Sequence, residues 1–263
     1  MMNSPAVILG CAFKDTLCDT FNLFPEKIKT KWGLQTVYSS KLETDRTVHV
    51  IFRHGVPHKL LPHQINYRAM IESLKIIGCN SLLVTSSVGI LNNELPLFTP
   101  LLLTDLLMLD NRLPDGSACT MFPDPVPEQG HLVINEGLFS KELSCQIAKY
   151  SNNIIKDRNI IFSYNGGPRT KTSAENQFLK KMGLDVNSMT LAPEVILANE
   201  LLITCSGLVV GHKYSGSSSK DTFNEDSLSL TLDNSRESME NIIVKYLKLV
   251  TPIENKNMLY QFE

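Results

Sequence analysis

The chain has 263 residues, 43% of them apolar, and a formal net charge of -2, enough apolar material for one large α/β core. A balance this close to neutral supplies no basic field for tracking a nucleic-acid backbone. Apolar runs such as Leu101 to Leu109 fall well short of the roughly 20 residues that cross a bilayer, so a soluble protein with neither nucleic-acid nor membrane partners is expected.

The N-terminus, Met1 to Gly10, lacks a basic segment ahead of an apolar core and reads as a first strand, which points to the cytoplasm. Further β-rich runs follow at Val48 to Arg53, Ser81 to Ser86, Leu101 to Leu109, Ile160 to Tyr164 and Ile203 to Val210. Between the second and third strands, Tyr67, Met70, Ile71, Leu74 and Ile77 recur at helical spacing, with Gly78 where a C-terminal cap belongs. Gly166-Gly167-Pro168-Arg169 makes a sharp turn before a helix containing Ala174, Phe178 and Leu179, and Pro193 suits a first helical turn. Near the end, Asn234 and Glu237 have capping-box spacing ahead of a stripe of Met239, Ile242, Ile243, Tyr246, Leu247 and Val250. Two stretches read as irregular, the proline-rich Asn111 to Gly130 and the serine-rich Ser215 to Ser227. Neither marks a boundary, and residues 1–263 are expected to form a single domain. The six cysteines form no C-x-x-C pair and are expected to be reduced.

In a layered α/β protein, ligands sit beyond the carboxyl ends of strands. Arg53 and His54 follow an apolar strand, and a guanidinium fork beside an imidazole donor suits a phosphate, although a surface ion pair is the plainer reading of the dipeptide. Thr85, Ser86, Ser87, Val88 and Gly89 offer hydroxyls and amides for an oxyanion at a second strand end, and Thr190 lies just ahead of a third anion-compatible helix start. The histidines His54, His58 and His63 lack a carboxylate or thiolate to complete a metal site, and no dinucleotide, Walker or G-x-S-x-G motif is present.

Taken in order, Arg53-His54-Gly55, Asn66-Tyr67-Arg68-Ala69, Val84-Thr85 to Gly89, Gly167-Pro168-Arg169, Met189-Thr190 and Pro193-Glu194-Val195 resemble the trimeric branch of the purine nucleoside phosphorylase and methylthioadenosine phosphorylase superfamily. The resemblance runs from about Val48 to Val210. It implies an α/β fold with a mixed central sheet flanked by helices, a homotrimer or dimer of trimers, and phosphorolysis of a purine or modified nucleoside to free base and pentose 1-phosphate. Inorganic phosphate would be the co-substrate, and no other cofactor is implied. By position, Cys11, Arg53, His54, Ser86, Ser87 and Thr190 would surround phosphate, His54 and Lys213 would take part in catalysis, and Val88, Gly89, Thr170, Met189, Lys213 and Ser215 would meet the nucleoside. His131 would face a neighbouring subunit.

Three departures stand out against that pattern. Lys213 and Ser215 occupy positions where the family carries acidic or amide groups, so the expected partner is a carbonyl oxygen or a more anionic leaving base. Thr170 replaces an aromatic that would stack on the base. Gly10-Cys11-Ala12-Phe13 replaces a glycine-rich turn with a hydroxyl, and a thiol donates weakly. The alternatives that follow are an N-ribosyl hydrolase and a noncatalytic nucleoside- or nucleotide-binding homologue.

Overall fold

Alternation of β-branched runs with amphipathic stretches resolves, in a computed structural model describing residues 4–13, 16–216 and 225–261, into helices on both faces of one large sheet. The elements are β1 (Pro5–Leu9), α1 (Thr16–Phe21), β2 (Phe24–Thr30), β3 (Gly33–Lys41), β4 (Thr47–Phe52), α2 (Tyr67–Ile76), β5 (Ser81–Ile90), β6 (Pro100–Leu102), β7 (Asp105–Leu107) and β8 (His131–Val133). They continue with α3 (Lys141–Ala148), β9 (Ile161–Tyr164), α4 (Ser173–Lys181), β10 (Val186–Ser188), α5 (Ala192–Glu200), β11 (Thr204–Tyr214), α6 (Glu225–Leu249) and β12 (Met258–Tyr260). The large sheet has ten strands, ordered β2-β3-β4-β1-β5-β10-β9-β7, with β11 on β5 and β6 on β11. It is mixed: β1 runs parallel to β4 and β5, whereas β10 lies antiparallel to β5.

The pleat explains the layers. Along β1, Ala6 and Ile8 enter the core that α2 and α5 cover with Tyr67, Met70, Leu74, Val195 and Leu197. Val7 and Leu9 enter the opposite core, closed by Leu17 and Phe21 of α1, Leu143 and Ile147 of α3, and Ile242 and Tyr246 of α6. Each such aliphatic or aromatic side chain contributes about 1.5–3 kcal/mol on burial, and the two cores fix the sheet as a floor from both sides. The strand, helix, strand unit over β4, α2 and β5 forms as expected, with Asn66 capping α2 by accepting from Ala69 N–H at 3.0 Å.

Three expectations need correction. The strand expected at Ser81 to Ser86 runs on to Ile90, so Ser86 and Ser87 lie within β5 and not at its end, because β11 pairs with it along its whole length. The run Leu101 to Leu109 is two short strands, because the chain changes partner at Leu103-Thr104: Leu103 N–H donates to Gly207 of β11, and Thr104 N–H to Ile160 beside β9. The capping-box start at Asn234 is not a start, since α6 begins at Glu225. Ser235 Oγ instead donates back to Thr231 O at 2.8 Å and Arg236 pairs with Asp233 at 3.2 Å, so this polar stretch is helix interior. Of the serine-rich stretch, residues 217–224 lie outside the described residues. The proline-rich stretch carries no helix or strand beyond one isolated bridge between Arg112 and Ala118. Among the described residues no helix is long and apolar enough to cross a membrane.

Candidate functional site

The ends of β4 and β1 and the middle of β5 converge on one side chain. Arg53 follows β4 directly, and its backbone N–H donates to Leu9 O at the end of β1, which tucks the guanidinium beneath the sheet edge. It is only 1% exposed. Its Nε is bound to Glu194 Oε1, also fully buried, and its Nη1 donates to Thr85 O of β5 at 3.0 Å. Nη2 is buried with no hydrogen-bond partner. The backbone of Gly10 closes against the same group: a Cβ there would come within 3.2 Å of Arg53 Nη1 and 3.3 Å of Ser86 Cα, so β1 can deliver its loop to the cradle only with glycine at this position.

The next residues of β5 carry hydroxyls. Ser87 is buried, with the Cys11 thiol as its neighbour. Ser86 Oγ reaches Ser188 Oγ of β10 at 3.1 Å and Ser87 O at 3.2 Å. The Cys11 thiol lies beside Arg53 and Ser87; burial pushes its pKa up, with the Arg53 charge opposing, so it stays a protonated weak donor. Thr190, buried, follows β10, and Leu191 then turns the chain at φ 81° into α5, whose first turn carries Glu194 back to Arg53. A bulky residue in that conformation is strained, and it is held where Thr190 and Glu194 must serve one cradle.

His54 sits next to Arg53 but is spoken for on one side. Its Nδ1 donates to Leu60 O at 2.8 Å, a carbonyl being an acceptor only, and its ring stacks on His58 with centroids 4.4 Å apart. Burial, then the Arg53 charge, lowers its pKa to about 4. The ring is therefore neutral near pH 7 and presents Nε2 as an acceptor, whereas the sequence suggested a donor. Among the described residues no group of three or more His, Cys, Asp or Glu could hold a metal ion.

A second cluster lies where β5, β10, β11 and α4 meet. Ser215 closes on Gly89 so tightly that a Cβ at Gly89 would collide with Ser215 Oγ and stand 3.2 Å from Asn187 Oδ1. Asn187 Nδ2 donates to Ser215 Oγ at 3.3 Å and to Asn176 Oδ1 of α4 at 3.5 Å. Lys213 pairs in register with Gly89 just after a bulge at His212, and its side chain is exposed. Val88 is buried in β5. Met189 follows β10 half-buried, with Sδ 2.9 Å from where a Cβ on Gly167 would stand. Thr170 is exposed in the loop after Gly167-Pro168, and Arg169 before it is held bidentately by Glu175 at 2.7 and 2.8 Å.

Thus Cys11, Arg53, His54 and Ser87 come together, Ser86 is tied to Ser188 two residues before Thr190, and Gly89, Lys213 and Ser215 gather in a second cluster. His131 stands apart, on exposed β8 opposite Tyr260 of β12. Three contributors escaped the sequence reading: Glu194 as the buried partner of Arg53, Asn187 as the amide that ties Ser215 to Asn176 of α4, and Lys171, half-buried before α4. Glu194 did leave a signal, a carboxylate in the otherwise apolar Leu191 to Leu197 run, because a buried acid needs a buried partner.

The fold and this cradle define a layered α/β protein with buried hydrogen-bond donors at its strand ends. The chain belongs to the phosphorylase superfamily, whose family model matches residues 15–248. It is 30% identical over 258 residues to a probable S-methyl-5'-thioinosine phosphorylase of Methanopyrus kandleri, covering 95% of this chain and 91% of that one. It is also 27% identical to a probable 6-oxopurine nucleoside phosphorylase of Moorella thermoacetica, with 85% of each chain covered. A solved methylthioadenosine phosphorylase of Schistosoma mansoni, in complex with adenine, has the same fold at a TM-score of 0.80 and 23% identity, over 94% of this chain and 91% of that one.

Proposed function

We propose that the cradle around Arg53 binds inorganic phosphate and that the protein is a nucleoside phosphorylase, splitting the N-glycosidic bond of a purine or modified nucleoside. The observation that carries this reading is Arg53 Nη2, a buried charged donor without a partner, with the Cys11 thiol and the buried Ser87 hydroxyl close by. A buried donor without an acceptor costs about 1–3 kcal/mol, and more when charged, so a cradle that holds one open is built for an anion.

The chemistry follows from the charges. Breaking the bond from C1′ to the base builds positive charge on the sugar, and a phosphate dianion held beneath the ring stabilises it and then attacks C1′. A phosphate oxygen forms the new bond to C1′; the electron pair of the old bond passes to the base nitrogen, which takes up a proton. Arg53 holds the anion through Nη2, with Nε and Nη1 fixed by Glu194 and Thr85. Ser86, Ser87 and Thr190 complete the cradle, with Cys11 as its weakest donor. Neutral His54, with Nε2 free to accept, suits a protonated phosphate oxygen or a sugar hydroxyl rather than a bare anionic oxygen. Met189 lies under the ribose, and Val88 and Gly89 floor the way from phosphate to base.

Assembly into trimers, with exposed His131 toward a neighbouring subunit, and a cytoplasmic location belong to the same reading. The test is base release from a nucleoside panel with and without inorganic phosphate. Phosphate-dependent release with pentose 1-phosphate formed is expected; release indifferent to phosphate would make the protein an N-ribosyl hydrolase, and binding with no turnover a noncatalytic homologue.

A further inference from the structure

We infer that Lys171 and Lys213 together form a cationic clamp for the nucleobase, selecting a purine with carbonyl oxygens at C2 and C6 that binds as its anion. This rests on the reading of the site as a nucleoside site and names the base it takes.

The placement comes from packing. Lys171 precedes Thr172, the N-cap of α4, and the first turn of α4 is tied to the end of β11: a Cβ on Gly216 would lie 3.2 Å from Asn176 Cβ, and Asn187 bonds both Asn176 and Ser215. The loop bearing Lys171 is thereby brought beside Lys213, which stands opposite Gly89 in the strand that carries Ser86 and Ser87 three and two residues earlier. Lys213 stands in register with Gly89, and Ser215, two residues on, fills the space that a side chain at Gly89 would take.

Charge decides what fits. Lys171 is half-buried, and its pKa is lowered to about 8, first by burial and then by the charge of Lys213, with Arg169 adding and Glu175 opposing. Glu175 offers little to Lys171, since it already accepts from both Nη atoms of Arg169 and from Thr172 N–H at 2.6 Å. A fold that holds two ammonium groups together while its nearby carboxylate serves elsewhere stores repulsion that an anionic ligand relieves. Ammonium groups only donate. They therefore match exocyclic carbonyl oxygens and reject an exocyclic amine, whose N–H groups would face other donors. A purine with two carbonyl oxygens offers an acceptor at both C2 and C6, on either side of a ring N–H, and loss of its N3 proton near neutral pH gives it the complementary charge.

Binding of the free bases xanthine, hypoxanthine and adenine, titrated calorimetrically at pH 7 with inorganic phosphate present, tests this. Xanthine is expected to bind about tenfold or more tightly than adenine, the margin a charge-assisted hydrogen bond carries, with hypoxanthine between. In Lys171→Gln/Lys213→Gln the three affinities converge to within about twofold, the charge-assisted margin being lost, while the thermal midpoint stays within a few degrees, as expected of surface substitutions. Adenine binding as tightly as xanthine, or a preference that survives the double substitution, overturns the clamp. Selective xanthine binding without cleavage of any nucleoside supports the clamp and removes the catalytic reading. Phosphate-dependent cleavage without base discrimination does the reverse.

Discussion

The Arg53 and Lys213 ends of the candidate site are built on different principles. At the Arg53 end, donors are set by backbone: Thr85 O and Leu9 O fix the arginine, Gly10 permits the approach, and Glu194 neutralises the charge from a buried helix turn. At the Lys213 end, the polar groups hang from a strand terminus and a loop, exposed or half-buried, and are held together by amide side chains. A preorganised cradle tolerates little change, because moving one element leaves a buried charge unpaired; a rim of long side chains can change its chemistry while the fold stands. Of the three departures from the family resemblance, two, at Thr170 and at Lys213 with Ser215, accordingly fall at this rim, and one, at Cys11-Ala12, falls at the cradle.

The comparison breaks most decisively at Arg53. Arg53→Ala should lower kcat/KM by about 10²–10³-fold for every nucleoside alike, the loss expected of a main oxyanion donor. It should also destabilise the fold by about 3–5 kcal/mol, since Glu194 is left charged and buried. Arg53→Met/Glu194→Met separates the two effects. Denaturant midpoints should return toward the parent value while initial rates stay low; recovery of activity would remove Arg53 from phosphate binding.

Acid should next reveal both ends at once. His54 beside the cradle, His212 beside Lys213 and His49 in β4 all have pKa values lowered to about 4 by burial. Each folded value lies below the unfolded one near 6.5, so the unfolded chain binds more protons between those values. The stability these groups provide is complete above about pH 6.5 and is lost as pH falls toward 4. The thermal midpoint should be level above neutrality and decline below it, less steeply in His54→Asn. An unchanged slope in that variant would mean His54 is not held neutral.

Ser87→Ala sharpens the division within the site. Loss of a hydrogen bond to an anion should raise the phosphate KM about tenfold and leave the order of preference among nucleosides unchanged. A reordering of nucleosides would show that the two ends are not separable.

Sequence disclosed these ends unequally, and for physical reasons. Arg53 and Thr190 sit just past the ends of strands and announce themselves by position, whereas Ser86 and Ser87 lie inside β5 and show only as hydroxyls in an apolar run. The partner that makes Arg53 buriable does not: Glu194 is 141 residues away, and only the fold brings the pair together. The hairpin of β2 and β3 went unread because its strands carry charged and exposed residues, Glu26, Lys27 and Lys29 among them, with no clean alternation. Lys171 was hidden by looking like an ordinary loop lysine; its meaning depends on Lys213, brought near by contacts of Asn176 and Asn187 that no local pattern encodes.

The smallest expected effect lies at Thr170, and it asks whether the base end relies on charge alone. Thr170 is exposed in the loop between Arg169, pinned by Glu175, and Lys171. An aromatic side chain there can cover a base face, a contact worth about 0.5–1.5 kcal/mol, or roughly two- to tenfold in affinity. That gain depends on ring area and not on the pattern of carbonyls and amines at the base edge. Thr170→Phe should therefore tighten xanthine, hypoxanthine and adenine by similar factors, leaving their ratios and the phosphate KM where they were. A gain confined to one base would mean that the loop had shifted Lys171 as well, coupling face and edge recognition; no gain for any base would move Thr170 out of the site.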